Sequence, residues 1–113
     1  MRLSFKPGVS INGAQPETVL GIMVVTSVMA EHGLHAVITS ITDDAPGRHP
    51  RSLHPAGLAF DLRSWEFSDN PERRGAWLTR FEAALGPEWD IVDEGDHFHF
   101  EFDPGADHRL SAA

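Results

Sequence analysis

The period of the hydrophobic positions changes along the chain, and each change marks an element. Leu58, Phe60 and Leu62 alternate with Ala59, Asp61 and Arg63, the period of two that predicts a half-buried strand over residues 57–63. The same alternation returns near the end. There His97, His99 and Glu101 share one face and Phe98, Phe100 and Phe102 the other, with a partner strand over 90–93 and a tight turn at Glu94-Gly95. A third, β-branched stretch over 35–41 predicts another strand. Between these lie two helical patterns. Pro16-Glu17 opens the first, where a proline suits the first helical position and an early acid suits the dipole. Its stripe is Leu20, Val24 and Val28, widened by Val19, Met23 and Met29; apolar residues on most sides predict a well-buried helix that stops at Gly33. In the second, Asn70 caps and Pro71 starts. Trp77, Leu78, Phe81, Ala84 and Leu85 line one face, and Gly86-Pro87 ends the helix. Residues 1–15 read as an irregular or short-strand lead-in, 42–50 and 64–70 as loops, and the tail from Pro104 as frayed.

The order helix, strand, loop, strand, helix, hairpin predicts an α+β fold: a small, mainly antiparallel sheet with helices packed on one face. At 113 residues the chain is expected to form one domain, 1–113. The phenylalanines would face the helices. Asp61, His97 and His99 would face an open groove, together on one side of the sheet if their two strands are neighbours.

Charge narrows the partners. The formal net charge is −8 and Lys6 is the only lysine, a balance that argues against nucleic acid and anionic membrane surfaces. The longest apolar run, Val19 to Ala30, is too short to span a bilayer, so no membrane insertion is expected. No secretory signal is visible in Met1–Gly8, and a monomer is expected. With no cysteine, a disulfide framework, a thiolate zinc site and cysteine catalysis are excluded.

What remains for chemistry is imidazole and carboxylate. His54 lies seven residues before Asp61, and His99 comes from a distant strand on the same face. Two histidines and one carboxylate with a position left for water is a catalytic zinc arrangement. We therefore expect His54, Asp61 and His99 to hold Zn2+. A non-haem iron oxygenase also uses two histidines and a carboxylate, but its His-x-Asp spacing differs from the gap here. His32 and His35 flank Gly33 at a helix end and are expected to be structural, as is His108 in the tail.

Ser52-x-His54-x-x-Gly57-x-Ala59-x-Asp61, followed by His97-Phe98-His99, resembles the paired signature of the zinc D-Ala-D-Ala carboxypeptidase and hedgehog-type peptidase superfamily. Ile38-Thr39-Ser40, His49 and the run Ser52 to Arg63 are closest to its small phage-type members, and the resemblance spans about residues 15–103. It implies that His54, Asp61 and His99 are the zinc ligands. It makes Asp96, three residues before the last ligand, the catalytic acid or base, with Asp93, Glu94 and Glu101 as alternatives. His97 is placed beside the metal to donate to the developing oxyanion. The family's Gly-Tyr-Arg is missing after Ser40; Arg48 or else Arg51 is expected to hold substrate, with Ser52 also expected on the substrate-binding side, fixing the loop rather than acting as a nucleophile. The implied activity is hydrolysis of peptidoglycan stem-peptide bonds involving D-amino acids, of the D-Ala-D-Ala carboxypeptidase or L-Ala-D-Glu endopeptidase type. The alternative is a zinc-binding module of the same fold without hydrolysis. The implied setting is a phage lysis or virion-associated enzyme, made in the cytoplasm and brought to the cell wall by another route.

Overall fold

The computed structural model describes residues 1–43 and 52–104. Arg48, His49, Arg51, His108 and the tail beyond Pro104 lie outside them, so the expectations placed on those residues stand apart from the structure. The elements run β1 (Leu3–Phe5), α1 (Pro16–Ala30), β2 (Ala36–Ser40), β3 (Ala59–Arg63), a short 3-10 helix (Trp65–Phe67), α2 (Pro71–Leu85), β4 (Trp89–Asp93) and β5 (His97–Phe102). The strands form one five-stranded sheet in the order β1-β2-β3-β5-β4. Among the described residues, β1 and β2 pair in parallel and the other three pairings are antiparallel. The fold is α+β, as expected, with both helices packed against the sheet.

The period-two pattern in the two central strands sets their register. Phe60 pairs with Phe100 and Leu62 with Phe98, all four fully buried beneath the helices. The rings of Phe60 and Phe100 stack at 4.6 Å between centroids. Ile22, Val25 and Met29 from α1, and Trp77 and Phe81 from α2, complete the core. Burying side chains of this size contributes roughly 1.5–3 kcal/mol each. That driving force fixes which face of each strand looks outward.

Three expectations are corrected here. The buried face of α1 is Thr18, Gly21, Ile22, Val25, Thr26 and Met29, whereas Leu20 is 65% exposed and Val19 and Met23 are exposed. The cause is close approach: a Cβ on Gly21 would lie 2.5 Å from the Trp89 ring, so the small residues face inward. Segment 64–70 is not all loop, because Phe67 enters the core from the 3-10 helix and stacks on Phe98 at 5.1 Å. On α2, Ala84 is exposed, while Arg74 is buried on the Trp77 face. Gly33 does end α1, one turn past Ala30. At φ 71 it lets its own N–H reach the Ala30 carbonyl while the Leu34 N–H reaches that of Met29. Asn70 caps α2, accepting from the Arg73 N–H at 3.1 Å.

Candidate metal centre

His54, Asp61 and His99 converge on the open face of the sheet. The Asp61–His99 pair is one rung of the β3–β5 ladder, directly opposite in register. His54 arrives from the loop before β3. That loop is fastened at several points. The His54 N–H donates to Ser52 Oγ at 3.2 Å, so Ser52 does fix the turn. Gly57, at φ 74, donates back to the His54 carbonyl and takes the Gln15 N–H and the Thr18 hydroxyl on its own carbonyl. A Cβ on Gly57 would lie 1.9 Å from the Gly13 carbonyl oxygen, so only glycine lets the loop lie against the N-terminal segment.

Three donor atoms face one another. His99 Nδ1 lies 3.0 Å from Asp61 Oδ1, His54 Nε2 lies 3.1 Å from the same oxygen, and the two nitrogens are 3.3 Å apart. Zinc bonds of about 2.0–2.1 Å in a tetrahedron place neighbouring ligand atoms about 3.3–3.4 Å apart. The nitrogen–nitrogen edge matches that length, and the two edges to Asp61 are slightly shorter. The outer contacts set the imidazole tautomers. His54 Nδ1 is 2.6 Å from the Ile41 carbonyl and must donate to it, leaving Nε2 as a lone-pair site when the ring is neutral. His99 Nε2 faces Glu101 Oε1 at 3.3 Å, which leaves Nδ1 for the centre in the same way. A histidine whose outer N–H rests on a carbonyl or carboxylate is the usual support of a metal ligand. The residues present fit a divalent cation.

Electrostatics agree. Burial alone would push the Asp61 carboxyl up, but hydrogen bonds from His54 and His99 and the charge of His54 and His97 hold it well below the usual carboxylate range. Burial would push His99 down; its hydrogen bonds with Asp61 and Glu101, and their charges, raise it instead. The pocket thus favours a carboxylate beside positive charge, and a proton on His99 would compete with a divalent cation for that place.

Further polar groups lie toward the β4–β5 turn. The Glu94 N–H donates to the His97 carbonyl at 2.9 Å, which leaves Gly95 and Asp96 as the central residues, with Gly95 at φ 95. Asp96 is 80% exposed and contacts His97 Nδ1 at 2.5 Å. His97 Nε2 faces Glu94 Oε1 at 3.3 Å and Asp61 Oδ2 at 3.8 Å. Glu94 Oε1 is also 3.9 Å from His99 Nδ1. Of the four acids considered for proton transfer, Glu94 therefore approaches the triad most openly, Asp96 reaches it through His97, Glu101 supports His99, and Asp93 turns away to Arg74. Arg74 was missed by the sequence reading. Its guanidinium holds both Asp93 oxygens and the Gly95 carbonyl, and so anchors the turn that carries Glu94 and Asp96. The signal was an arginine three residues before Trp77 on an apolar helix face. His35 lies 2.7 Å from Ser4 Oγ and His32 sits edge-on to the Trp77 ring, both away from the triad.

No family model matches the chain, and no curated protein or solved structure matches it.

Proposed function

We propose that the chain is a zinc-dependent peptidase that cuts peptidoglycan stem peptides at bonds involving D-amino acids. The observation that carries the reading is the 3.0–3.3 Å triangle of His54 Nε2, Asp61 Oδ1 and His99 Nδ1, built on outward-tethered imidazoles. The sequence resemblance supplies the substrate class. Zinc in such a site lowers the pKa of its water to about 7 and polarises a carbonyl. His54 and His99 hold their rings by the Ile41 carbonyl and Glu101, so the donor atoms need no rearrangement. Asp96 accepts the proton of the attacking water and returns it to the leaving amine. His97, held by Asp96 and with Nε2 3.8 Å from Asp61 Oδ2, would be the donor to a developing oxyanion. Glu94 is the alternative proton acceptor, favoured by its 3.9 Å approach to His99.

Purified cell walls incubated with the zinc-loaded protein should release muropeptides identifiable by mass spectrometry, and a strong chelator should stop the release. Release that survives the chelator refutes the metal mechanism. Stoichiometric zinc without release from any wall type favours the non-hydrolytic module. Asp96→Asn and Glu94→Gln, each checked for retained zinc, identify the proton acceptor by which one abolishes turnover.

A further inference from the structure

Beside the triad, on the same open face of the sheet, lies a groove of about 570 Å³ bordered by Asp96 and His97. A volume of this size is in the range of ligand sites, about 300–1,000 Å³. Its position follows from the register. Arg63 pairs with His97 two rungs from Asp61 and His99, with the inward-facing Leu62–Phe98 rung between, so both pairs share the open face. Two strand residues separate those rungs, about 6.6–6.8 Å. A substrate whose carbonyl lay at the triad would have Arg63 and the groove within reach along the strands.

The lining is unlike the rest of the molecule. In a chain of net charge −8, the groove gathers the sole lysine, Lys6, together with Arg63. Its one acid, Asp96, is engaged with His97. Arg63 is held rigidly: Nε and Nη2 both donate to Glu66 Oε1, and the guanidinium lies 4.6 Å over the Trp65 ring. Glu66 balances its charge but leaves the planar group in place as a donor surface. Lys6 has no ion-pair partner among the described residues, so its charge is the one left to a ligand. Trp65, 72% exposed, and Phe5 supply apolar walls.

We propose that this groove is an anion subsite: Lys6, with Arg63 beside it, takes a carboxylate that the substrate carries within about two residues of the bond cut. The preferred substrate is then an acidic peptide, and recognition works against the repulsion of an acidic protein by leaving Lys6, unpaired among the described residues, where the substrate lies. The inference rests on the peptidase reading for the placement of the cut bond, but the groove can be tested without turnover.

The experiment is a binding titration of the zinc-loaded protein, followed by NMR, with acetyl-L-alanyl-D-glutamate and its neutral diamide. The parent should bind the acid about tenfold or more tightly than the diamide, the effect of one charge-assisted contact. Lys6→Gln should narrow that gap, and Lys6→Gln with Arg63→Gln should close it, with zinc content unchanged at one per chain. Equal binding of acid and diamide by the parent overturns the proposal. So does a preference that survives both substitutions, since the carboxylate would then be held by the zinc. Lys6→Gln alone, at an exposed position, gives the reading if the double variant fails to fold. A protein that prefers the acid in this way but cuts neither peptide nor wall keeps the subsite and loses the peptidase reading. One that cuts walls yet binds acid and diamide alike keeps the peptidase and loses the subsite.

Discussion

Replacing Arg74 by Met tests how the turn beside the metal centre is held. The guanidinium is nearly buried and donates to Asp93 Oδ2 at 2.8 Å, Asp93 Oδ1 at 2.7 Å, the Gly95 carbonyl at 2.8 Å and Ser64 Oγ at 2.9 Å. Methionine fills the space and removes every donor. Breaking a buried ion pair on one side costs about 3–5 kcal/mol, because the partner is left uncompensated. The Asp93 side chain is 30% exposed and regains water, which trims the expected loss to about 2–3 kcal/mol. At about 2.1 cal/mol/K per residue, unfolding of 113 residues has an entropy near 0.24 kcal/mol/K, so Tm should fall by about 8–13 °C. The effect should depend on pH in one direction. The Arg74 hydrogen bond holds the Asp93 carboxyl below its ordinary value. Its contribution is therefore present above the unfolded carboxylate value, about 3.9, and disappears as pH falls through the lower folded value. Urea unfolding of parent and Arg74→Met at neutral pH and in acid measures both. A loss under about 0.5 kcal/mol at neutral pH, or an equal loss at the two pH values, refutes the reasoning.

The remaining predictions concern the centre and the core. Zinc should bind at one per chain, counted by metal analysis, and at 100 times its Kd should stabilise the fold by about 2.7 kcal/mol; His54→Ala, Asp61→Ala and His99→Ala should each abolish the calorimetric shift. Gly57→Ala forces a left-handed backbone and a 1.9 Å contact, and should cost about 2–4 kcal/mol in denaturant while weakening zinc binding in a chelator competition. Phe100→Ala should cost about 3–5 kcal/mol, because the ring is wholly buried between Phe60 and Phe81. Leu20→Ser, on the exposed face of α1, should change stability by no more than about 0.5 kcal/mol; a core-sized loss would restore the helix face expected from the sequence.

The central strands were legible because a side-chain period of two leaves two choices of face, and Phe60, Leu62, Phe98 and Phe100 settle it. That choice carried Asp61 and His99 to the open side, and the antiparallel pairing then put them opposite each other. The orientation of α1 was not legible, since its apolar residues surround the axis. What decides it is the bulk of Trp89, which arrives from a strand about 70 residues away and admits only glycine at position 21. The triad's composition could be read, but its tethering could not. The group that orients His54 is the backbone carbonyl of Ile41, and a carbonyl has no signature in a sequence. Asp96 and Glu94 sit in a turn, where alternation no longer assigns a face; their contacts come from the local path of Gly95 and from Arg74.

The three donor residues are far apart in the chain, and the loop bearing the first of them is pinned by residues 13–18 as well. An ion that needed all three ligands would therefore be taken up late in folding, after the middle of the sheet has zipped and the N-terminal segment has docked. A cation bound with all three ligands would act as a seal of correct assembly, and a misfolded chain would be sorted from a finished one by its inability to keep its metal.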